Sequence, residues 1–331
     1  MMIDAHAYAR AGLIGNPSDG YFGKTISITV RNFGARVLLY ESPELHIEPQ
    51  LQDSSTYKSI LDLVESVSLI GYYGGSRLIK AAIKKFWEYC SANGHKINDR
   101  NFTIRYRSSI PRQVGLAGSS AIITATLRAL MQFYRIDIPL ELQPTIALSA
   151  ETDELGIHAG LQDRVIQAYE GCVYMDFERT TMETLRHGRY ERLDPSLLPK
   201  LFIAYRTELG KVSGKVHGDI RTRWENGDSH VIHTLDQMAG LAEQGRTAIL
   251  NRDVDTLHRL MNRNFDLRST IQAIDGNNRQ MVAAARACGA SAKFCGSGGS
   301  IVGIYYSDEM LTRLIMEMKK LNARVIKPYI V

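Results

Sequence analysis

A glycine- and serine-rich stretch, Pro111–Ala121, is the part of the chain best suited to bind an anion. Glycines at 115 and 118 free the backbone for a tight turn, so that its N–H groups can converge on one point. The apolar spacing that follows predicts a helix, whose unpaired N–H groups and positive dipole end favour an anion. Ser119 and Ser120 add hydroxyls there, either as helix caps or as ligands of phosphate and Mg²⁺. Local chemistry leaves two interpretations open, a phosphate site and a helix that serine merely caps.

Two acidic residues, Glu151 and Asp163, are the candidates for acid–base or metal chemistry. Glu151 ends an apolar helical pattern, and Asp163 follows a glycine turn in the segment 160–164. Carboxylates at helix ends are usually caps or solvated charges. Taken alone, each residue leaves that alternative open.

Two other glycine segments resemble nucleotide-binding motifs without matching them. The segment 20–25 ends like a Walker A loop, but Ser18 stands where the first glycine is required. The residues after Thr25 alternate as a strand, whereas a P-loop must enter a helix. The segment 296–299 is not GxGxxG and precedes a strand. The sequence therefore predicts neither a P-loop fold nor a Rossmann dinucleotide site.

Hydrophobic spacing predicts a mixture of strands and helices that must position these residues. The predicted strands are 9–14, 25–30, 35–40, 102–106, 172–177, 201–205, 301–306 and 323–330. The predicted helices are 57–70, 76–93, one that starts at the serines, 140–153, a short one after 163, 228–250, 253–272, 278–288 and 308–321. A polar stretch at 179–198 is interpreted as a linker. The irregular order of strands and helices predicts an α+β fold with two lobes rather than a doubly wound parallel sheet.

Composition and charge are those of an ordinary globular protein of 331 residues. The net charge of +5 suits anionic substrates, but the basic residues form no blocks, so no nucleic-acid partner is predicted. The sequence shows neither an apolar run of about 18 residues nor a signal-peptide pattern, so no membrane partner is predicted either. The four cysteines have no metal-ligand or disulfide spacing and are predicted to be buried thiols of a reducing compartment. We therefore expect a cytoplasmic enzyme.

Together these motifs resemble those of the GHMP kinase superfamily. Three signatures occur in order: a strand and turn at 10–19, the Pro-x-x-x-Gly-Leu-x-Gly-Ser-Ser loop at 111–120, and a late glycine loop at 293–299. Within the superfamily the chain is most similar to the glucuronokinase branch. The matching segments are 15–19, 21–23, 71–75, 110–113, 149–151, 159–165 and 293–299. The resemblance implies a two-lobed GHMP kinase fold, with a ribosomal-S5-like, ATP-binding domain at 1–195 and a ferredoxin-like α/β domain at 196–331.

The chain departs from the superfamily at two places. Ala117 replaces a glycine common in the phosphate loop, so this residue must adopt a negative φ or a tolerated variant of the loop. Asn16 and Pro17 stand where galactokinases carry an acidic residue and a histidine for the sugar. The second change leaves the phosphate chemistry intact but argues against galactose as the substrate.

The resemblance implies phosphoryl transfer from ATP to a hydroxyl group, which requires in-line positioning and charge neutralisation. Asp163 matches the catalytic aspartate that takes the proton, and Arg10 matches a basic residue that pairs with it or stabilises developing charge. Ser120 and Glu151 match the positions that bind Mg²⁺. Without the resemblance, Arg10 would be interpreted as an edge-strand arginine facing water. The residues implied to hold the phosphates of ATP are Pro111, Gly115, Leu116, Ala117, Gly118, Ser119 and Ser120.

The implied reaction converts ATP and D-glucuronate to ADP and D-glucuronate 1-phosphate. Another anomeric sugar kinase of the superfamily is the alternative, and a catalytically silent sugar or nucleotide sensor is a remote one. A uronate carboxylate needs a cation, preferably a bidentate arginine. The candidate cations are Arg112, Arg164, Lys211, Lys215 and His217, although two lysines four apart also fit a solvated face.

Other residues are implied at the sugar itself. Asp19 matches a position that hydrogen-bonds the sugar in relatives, although it also fits a turn. Tyr72 and Tyr73 could stack on a sugar ring or pack in the interior. The remaining residues implied at the substrate are Asn16, Gly296, Ser297 and Gly298. The sequence does not determine the oligomeric state.

Overall fold

The computed structural model describes residues 1–48, 55–70, 76–207 and 216–331 of the chain. The strands are β1 (Met2–Ile14), β2 (Lys24–Ser42), β3 (Leu45–Ile47), β4 (Ser55–Tyr57), β5 (Asn101–Ser108), β6 (Cys172–Asp176), β7 (Arg189–Leu193), β8 (Leu201–Arg206), β9 (Lys293–Phe294), β10 (Ser300–Ile304) and β11 (Ala323–Ile326). The helices are α1 (Ile60–Ile70), α2 (Arg77–Ala92), α3 (Gly118–Tyr134), α4 (Gln143–Thr152), α5 (Gln162–Tyr169), α6 (Arg179–Leu185), α7 (Val216–Glu225), α8 (Ser229–Leu250), α9 (Val254–Ile271), α10 (Gly276–Ala287) and α11 (Asp308–Lys320). Short 3-10 helices lie at Ser18–Tyr21 and Pro195–Leu197.

The first of two compact units contains Met1–Ala9, Phe33–Ile110 and Ala117–Ala168. In its sheet the second half of β2 pairs antiparallel with β5, β3 lies parallel to β5, and β4 pairs with β3. Helix α3 packs against α2 and α4 and is buried on nearly all sides. Burial on all sides is typical of a helix at the centre of a core. The core of the first unit therefore holds the helix that follows the glycine- and serine-rich stretch.

The second unit contains Arg10–Asn32, Pro111–Leu116 and Tyr169–Val331. The first half of β2 pairs antiparallel with β6, and β6 pairs antiparallel with β7. A separate antiparallel sheet has the strand order β11-β8-β10-β9. Helix α9 packs against α8 and against β9 and β10. Because β9 and β10 flank the late glycine loop, α9 lies beside the strands that hold this loop.

Strand β2 is one continuous strand, where the sequence predicts two. The alternation of apolar residues breaks at 31–34, but the backbone groups there still find partners. The Arg31 N–H donates to Tyr329 O at 2.9 Å, and Gly34 O accepts from the Ser109 N–H at 3.0 Å. The strand continues through 31–34 because its backbone groups remain hydrogen-bonded there, although the alternation of side chains is interrupted.

The interpretation of 179–198 as a linker is wrong. Helix α6 occupies its first part, and the Glu178 side chain caps this helix by accepting from the N–H groups of Thr180 and Thr181. Strand β7 follows and pairs with β6, with Glu191 opposite Tyr174. Only Leu193 of β7 is fully buried, so the strand carries little apolar pattern. An edge strand of this kind is hard to distinguish from a polar connection.

The four cysteines are free and buried: Cys90, Cys172, Cys288 and Cys295. Burial raises the pKa of the Cys295 thiol to about 11 and that of the Cys172 thiol to about 12. At neutral pH these groups are protonated and inert, as structural cysteines are. No helix of the part of the chain that the structure describes is long and apolar enough to cross a membrane.

Candidate active site

Helix α3 starts after Ala117, which has φ 61° and ψ 48°. A negative φ at Ala117, one of the two conformations expected there, is therefore wrong. For a residue with a side chain the left-handed region costs about 1–2 kcal/mol. Three hydrogen bonds to the Ala117 carbonyl hold it in place, from Gln167 Nε2 at 2.9 Å, Ser120 Oγ at 3.2 Å and the Ala121 N–H at 3.3 Å. The loop conformation is thus fixed by its surroundings rather than by glycine.

No side chain of the described residues caps the N-terminus of α3. The Ser119 hydroxyl donates to Glu151 Oε1 at 2.7 Å, and the Ser120 hydroxyl donates to the Ala117 carbonyl. The structure therefore contradicts the interpretation in which a serine merely caps this helix. An uncapped helix start retains backbone N–H donors and a positive dipole end, which suit a bound anion.

Glu151, which accepts from Ser119, is also one partner of a buried ion pair. Glu151 lies in the last turn of α4 and pairs with Arg164 in α5; their side chains are 1% and 3% exposed. Arg164 Nη1 also donates to Gly160 O at 2.7 Å and lies 3.5 Å from Asp163 Oδ2. The Asp163 side chain is 19% exposed, so it reaches the surface of the first unit. A continuous set of contacts therefore connects the start of α3 with the Asp163 carboxylate.

Arg10 is buried in the second unit, so the interpretation of an edge-strand arginine facing water is wrong. Its Nη1 donates to Gly115 O at 2.9 Å and to Cys295 O at 2.7 Å, and its backbone N–H donates to Leu116 O at 3.2 Å. Cys295 belongs to the late glycine loop. One arginine side chain therefore fixes the first part of the phosphate loop to the late glycine loop.

The two glycine loops pack backbone against backbone in the second unit. A Cβ at Gly296 would lie 2.4 Å from Gly115 O, and one at Gly299 would lie 2.8 Å from Val114 Cα. The Ser300 hydroxyl adds a hydrogen bond of 2.6 Å to Val114 O. These approaches leave no space for side chains, so the position of residues 113–115 depends on the late loop.

Replacement of Gly115 by alanine is expected to lower kcat about 100-fold, because a displacement near 1 Å at a reacting group has an effect of this size. Gly115 has φ 69°, and its added Cβ would lie 2.8 Å from Gly298 O, a backbone atom that cannot yield cheaply. Steady-state kinetics on the folded variant measure the effect. Gly227→Ala is the matched control, since Gly227 has φ 77° but open space around it. Equal kcat values for the two variants would show that close loop packing does not matter.

The turn after β1 is built around buried polar groups. The Gly15 N–H donates to Asn264 Oδ1 at 2.6 Å, and Asn264 Nδ2 donates to Asn16 O at 3.1 Å. Lys293 Nζ donates to Asn16 Oδ1 at 2.5 Å. Asp19 follows in the 3-10 helix and is half-buried. Asn16 is therefore part of a rigid polar network, and Asp19 lies in the short helix directly after it.

The other residues predicted at the substrate differ in their exposure, and some lie outside the described residues. Arg112 and Ser297 are exposed, and Pro111 is half-buried. Tyr72, Tyr73, Lys211 and Lys215 lie outside the described residues, as does the side chain of His217. Gly298 has φ 125°, and a Cβ there would meet Asn278 Nδ2 at 2.9 Å.

Arg268 is a buried cation that lies outside every motif of the sequence. Its signal is present in α9, where the buried positions Leu257, Met261, Asn264, Arg268 and Ile271 follow helical spacing. Asn264 and Arg268 are polar residues four apart on an otherwise apolar stripe. Polar residues on a buried stripe are retained where they have partners or a function.

The first unit offers oxygen ligands for Mg²⁺. A hydroxyl at Ser120 and a carboxylate at Glu151 are hard donors of the type that Mg²⁺ takes. The Glu151 carboxylate is buried and is held in place by the Ser119 hydroxyl and by Arg164. In the described ranges no group of three or more His, Cys, Asp or Glu side chains could hold a metal. Mg²⁺ in nucleotide sites commonly uses only one or two protein ligands besides phosphates and water. The donor set therefore fits a metal that arrives with a nucleotide.

A family model and two curated relatives match this chain, and all three point to the same family. A model of the GHMP kinases N terminal domain matches residues 77–171. The chain is 43% identical over 334 residues to Probable glucuronokinase 2 of Arabidopsis thaliana, covering 99% of this chain and 91% of that protein. It is 46% identical over 306 residues to Glucuronokinase 1 of the same plant, covering 91% and 84%.

The fold is shared with solved structures of much lower identity. The galactokinase of Lactococcus lactis, solved with galactose, matches with a TM-score of 0.83 at 14% identity, over 99% of this chain and 93% of that chain. At this identity the likeness concerns the fold alone. This likeness confirms the α+β fold that the sequence predicts for the chain.

Proposed function

The chain belongs to the GHMP kinases, as a phosphotransferase with an alcohol group as acceptor, and we propose that it is an ATP-dependent sugar 1-kinase acting on D-glucuronate. The reaction would convert ATP and D-glucuronate to ADP and D-glucuronate 1-phosphate. The glucuronokinases that the chain resembles at 43% and 46% identity support this substrate. The buried asparagine at position 16, in place of an acidic residue, supports a sugar other than galactose.

The observation that carries the proposal is the set of contacts from α3 to Asp163. Ser119 at the helix start bonds Glu151, Glu151 pairs with Arg164, and Arg164 lies beside Asp163. This arrangement puts an anion-binding helix end and a partly exposed carboxylate in one rigid framework. Phosphoryl transfer needs these two components held in fixed positions.

We assign the steps of the reaction as follows. The backbone N–H groups at 115–120 hold the phosphates of ATP, with Pro111 and Leu116 shaping the loop. Asp163 receives the proton of the anomeric hydroxyl, whose oxygen bonds to the γ-phosphorus. The bond from that phosphorus to the β,γ-bridging oxygen breaks, and ADP leaves. Arg10 stabilises the negative charge that develops during the transfer.

Ser120 and Glu151 would hold Mg²⁺, which neutralises phosphate charge when it is bound. At the sugar we assign roles to Asn16, Asp19 and the backbone of Gly296, Ser297 and Gly298. Tyr72, Tyr73 and Arg112 remain candidates from the sequence, whereas the pairing of Arg164 with Glu151 argues against a role for Arg164 at the substrate. We also propose that the two family domains are residues 1–195 and 196–331 and that the enzyme is cytoplasmic.

A panel of sugars assayed by ADP release tests the substrate. D-Glucuronate is expected to give a kcat/KM at least tenfold above those of galactose, glucose and mannose, because a site built for a charged group discriminates strongly against analogues that lack it. Neutral hexoses that outperform uronates more than tenfold would overturn the uronate assignment and favour another anomeric sugar kinase. ATP consumption with any sugar excludes a catalytically silent sensor.

A further inference from the structure

Besides Arg10, the second unit contains two further buried cations close to the glycine loops, Lys293 and Arg268, which are 1% and 3% exposed. Lys293 has three N–H donors, and they meet three acceptors: Gly12 O at 2.6 Å, Asn16 Oδ1 at 2.5 Å and Phe294 O at 2.8 Å. Its hydrogen-bonding capacity is therefore used within the protein. Lys293 serves the structure of the turn and carries no free donor for a ligand.

Arg268 differs from Lys293 in this respect. Its Nε donates to Gln272 Oε1 at 2.7 Å, and its Nη1 donates to Gly296 O at 2.7 Å. A guanidinium has five N–H donors, so three of them have no hydrogen-bond acceptor among the residues that the structure describes, where the guanidinium also lies 5.3 Å from the centroid of the Phe294 ring. Within those residues Arg268 also forms no ion pair. A buried cation with no carboxylate in direct contact is costly, which indicates that an anion binds there in the working enzyme.

The surroundings of Arg268 locate this anion. Burial lowers the pKa of Arg268 to about 10; the Asp19 carboxylate acts in the opposite direction, and Arg10 adds to the lowering. Burial raises the pKa of Tyr21, while the charges of Arg221 and Arg268 lower it. Arg268 therefore interacts with Asp19 and Tyr21 of the turn after β1, and it bonds directly to the late glycine loop through Gly296. In the proposed function these segments hold the sugar.

We propose that Arg268 binds the carboxylate of the acceptor sugar and so selects a uronate, an inference that rests on the proposed function. A guanidinium presents paired N–H donors that match the two oxygens of a carboxylate. Asp19 would repel a second carboxylate, so a uronate needs a cation beside it, and Arg268 supplies one. The residue is a specificity determinant that contacts the substrate away from the reacting hydroxyl.

Other arginines are less suited to this role. Arg164 is already paired with Glu151 in the first unit. Arg221 is 44% exposed and lies 3.7 Å from Glu225. Arg112 is exposed. Exposed cations are well solvated and discriminate weakly between a charged and a neutral ligand, whereas a buried one discriminates strongly.

The test compares D-glucuronate with D-glucuronamide, a neutral analogue of nearly the same shape. In Arg268→Met, kcat/KM for glucuronate is expected to fall about 100-fold, mainly through KM, whereas kcat/KM for glucuronamide changes less than threefold. The KM for ATP is expected to stay within twofold. Arg259→Met is the matched control, because Arg259 lies on the same helix but is exposed; it should leave all of these values unchanged.

Arg268→Lys carries the test if the methionine variant does not fold, since lysine keeps the buried charge but loses the planar fork. Its preference for glucuronate over glucuronamide should fall at least fivefold. An unchanged preference for glucuronate over glucuronamide overturns the inference. A rise in the KM for ATP, together with equal losses of kcat/KM on both sugars, also overturns it, because this result would assign Arg268 to a phosphate. If the unmodified enzyme does not phosphorylate glucuronate, the proposed function fails instead, and this is decided before any variant is measured.

Discussion

Replacement of Asp163 by asparagine is expected to lower kcat about 1,000-fold while ATP still binds. Asparagine has nearly the same shape and can still accept hydrogen bonds, but it cannot take a proton from the sugar hydroxyl. Loss of a general base commonly costs a factor of 10²–10⁴. The contacts that hold the start of α3, from Ser119 to Glu151 and Arg164, do not depend on the Asp163 charge. Steady-state turnover and calorimetric titration with a non-hydrolysable ATP analogue measure the two expectations separately.

Asp153→Asn is the matched control for this variant. Asp153 lies just after α4 in the same unit, its side chain is 58% exposed, and it is 3.5 Å from Lys85. Its replacement should leave both turnover and ATP binding unchanged. Full turnover in Asp163→Asn would remove Asp163 from the mechanism, and loss of ATP binding would show that this carboxylate supports the nucleotide site rather than the proton transfer.

Arg164→Met is expected to destabilise the protein by about 3–5 kcal/mol, the usual effect of removing one partner of a buried ion pair. Methionine fills much of the space, so the loss comes from the charge that remains on Glu151 rather than from a cavity. Native proteins have a free energy of unfolding of about 5–15 kcal/mol, so the variant should still fold. Urea unfolding at pH 7 measures the difference.

Arg246→Met provides the comparison, because it removes an ion pair of good geometry at the surface. Arg246 Nε lies 2.6 Å from Glu191 Oε2, but the two side chains are 38% and 42% exposed. Solvent screens such a pair, and its removal should cost less than about 1 kcal/mol. Similar losses for the two variants would contradict a buried, charge-dependent role for Arg164.

The elements around the site could be predicted from the sequence because their signals are local. The apolar spacing after Ser120 predicts α3, and the alternation at 102–106 predicts β5. The order of the three motifs indicates the family, and the family indicates the fold. Strand β7 cannot be predicted in this way, since an edge strand with one buried residue has almost no local pattern.

The partners of the site residues could not be predicted, because they depend on residues far apart in the chain. Nothing near Glu151 in sequence indicates that it is paired with Arg164, so the sequence alone leaves Arg164 as a candidate for a substrate carboxylate. The conformation of Ala117 is set by Gln167, fifty residues away. Arg268 lies outside every motif, and only its place on the apolar stripe of α9 marks it.

The hydrogen bond from Arg10 to Cys295 joins residues 285 positions apart. A ribosome adds about 5–20 residues per second, so roughly 15–60 s separate the synthesis of these two residues. During that interval a nascent chain carries the arginine without its acceptor, and contacts of such long range also form slowly. The late glycine loop must therefore be synthesised before Arg10 can fix the phosphate loop to it, so this part of the site forms only after residue 295 has been translated.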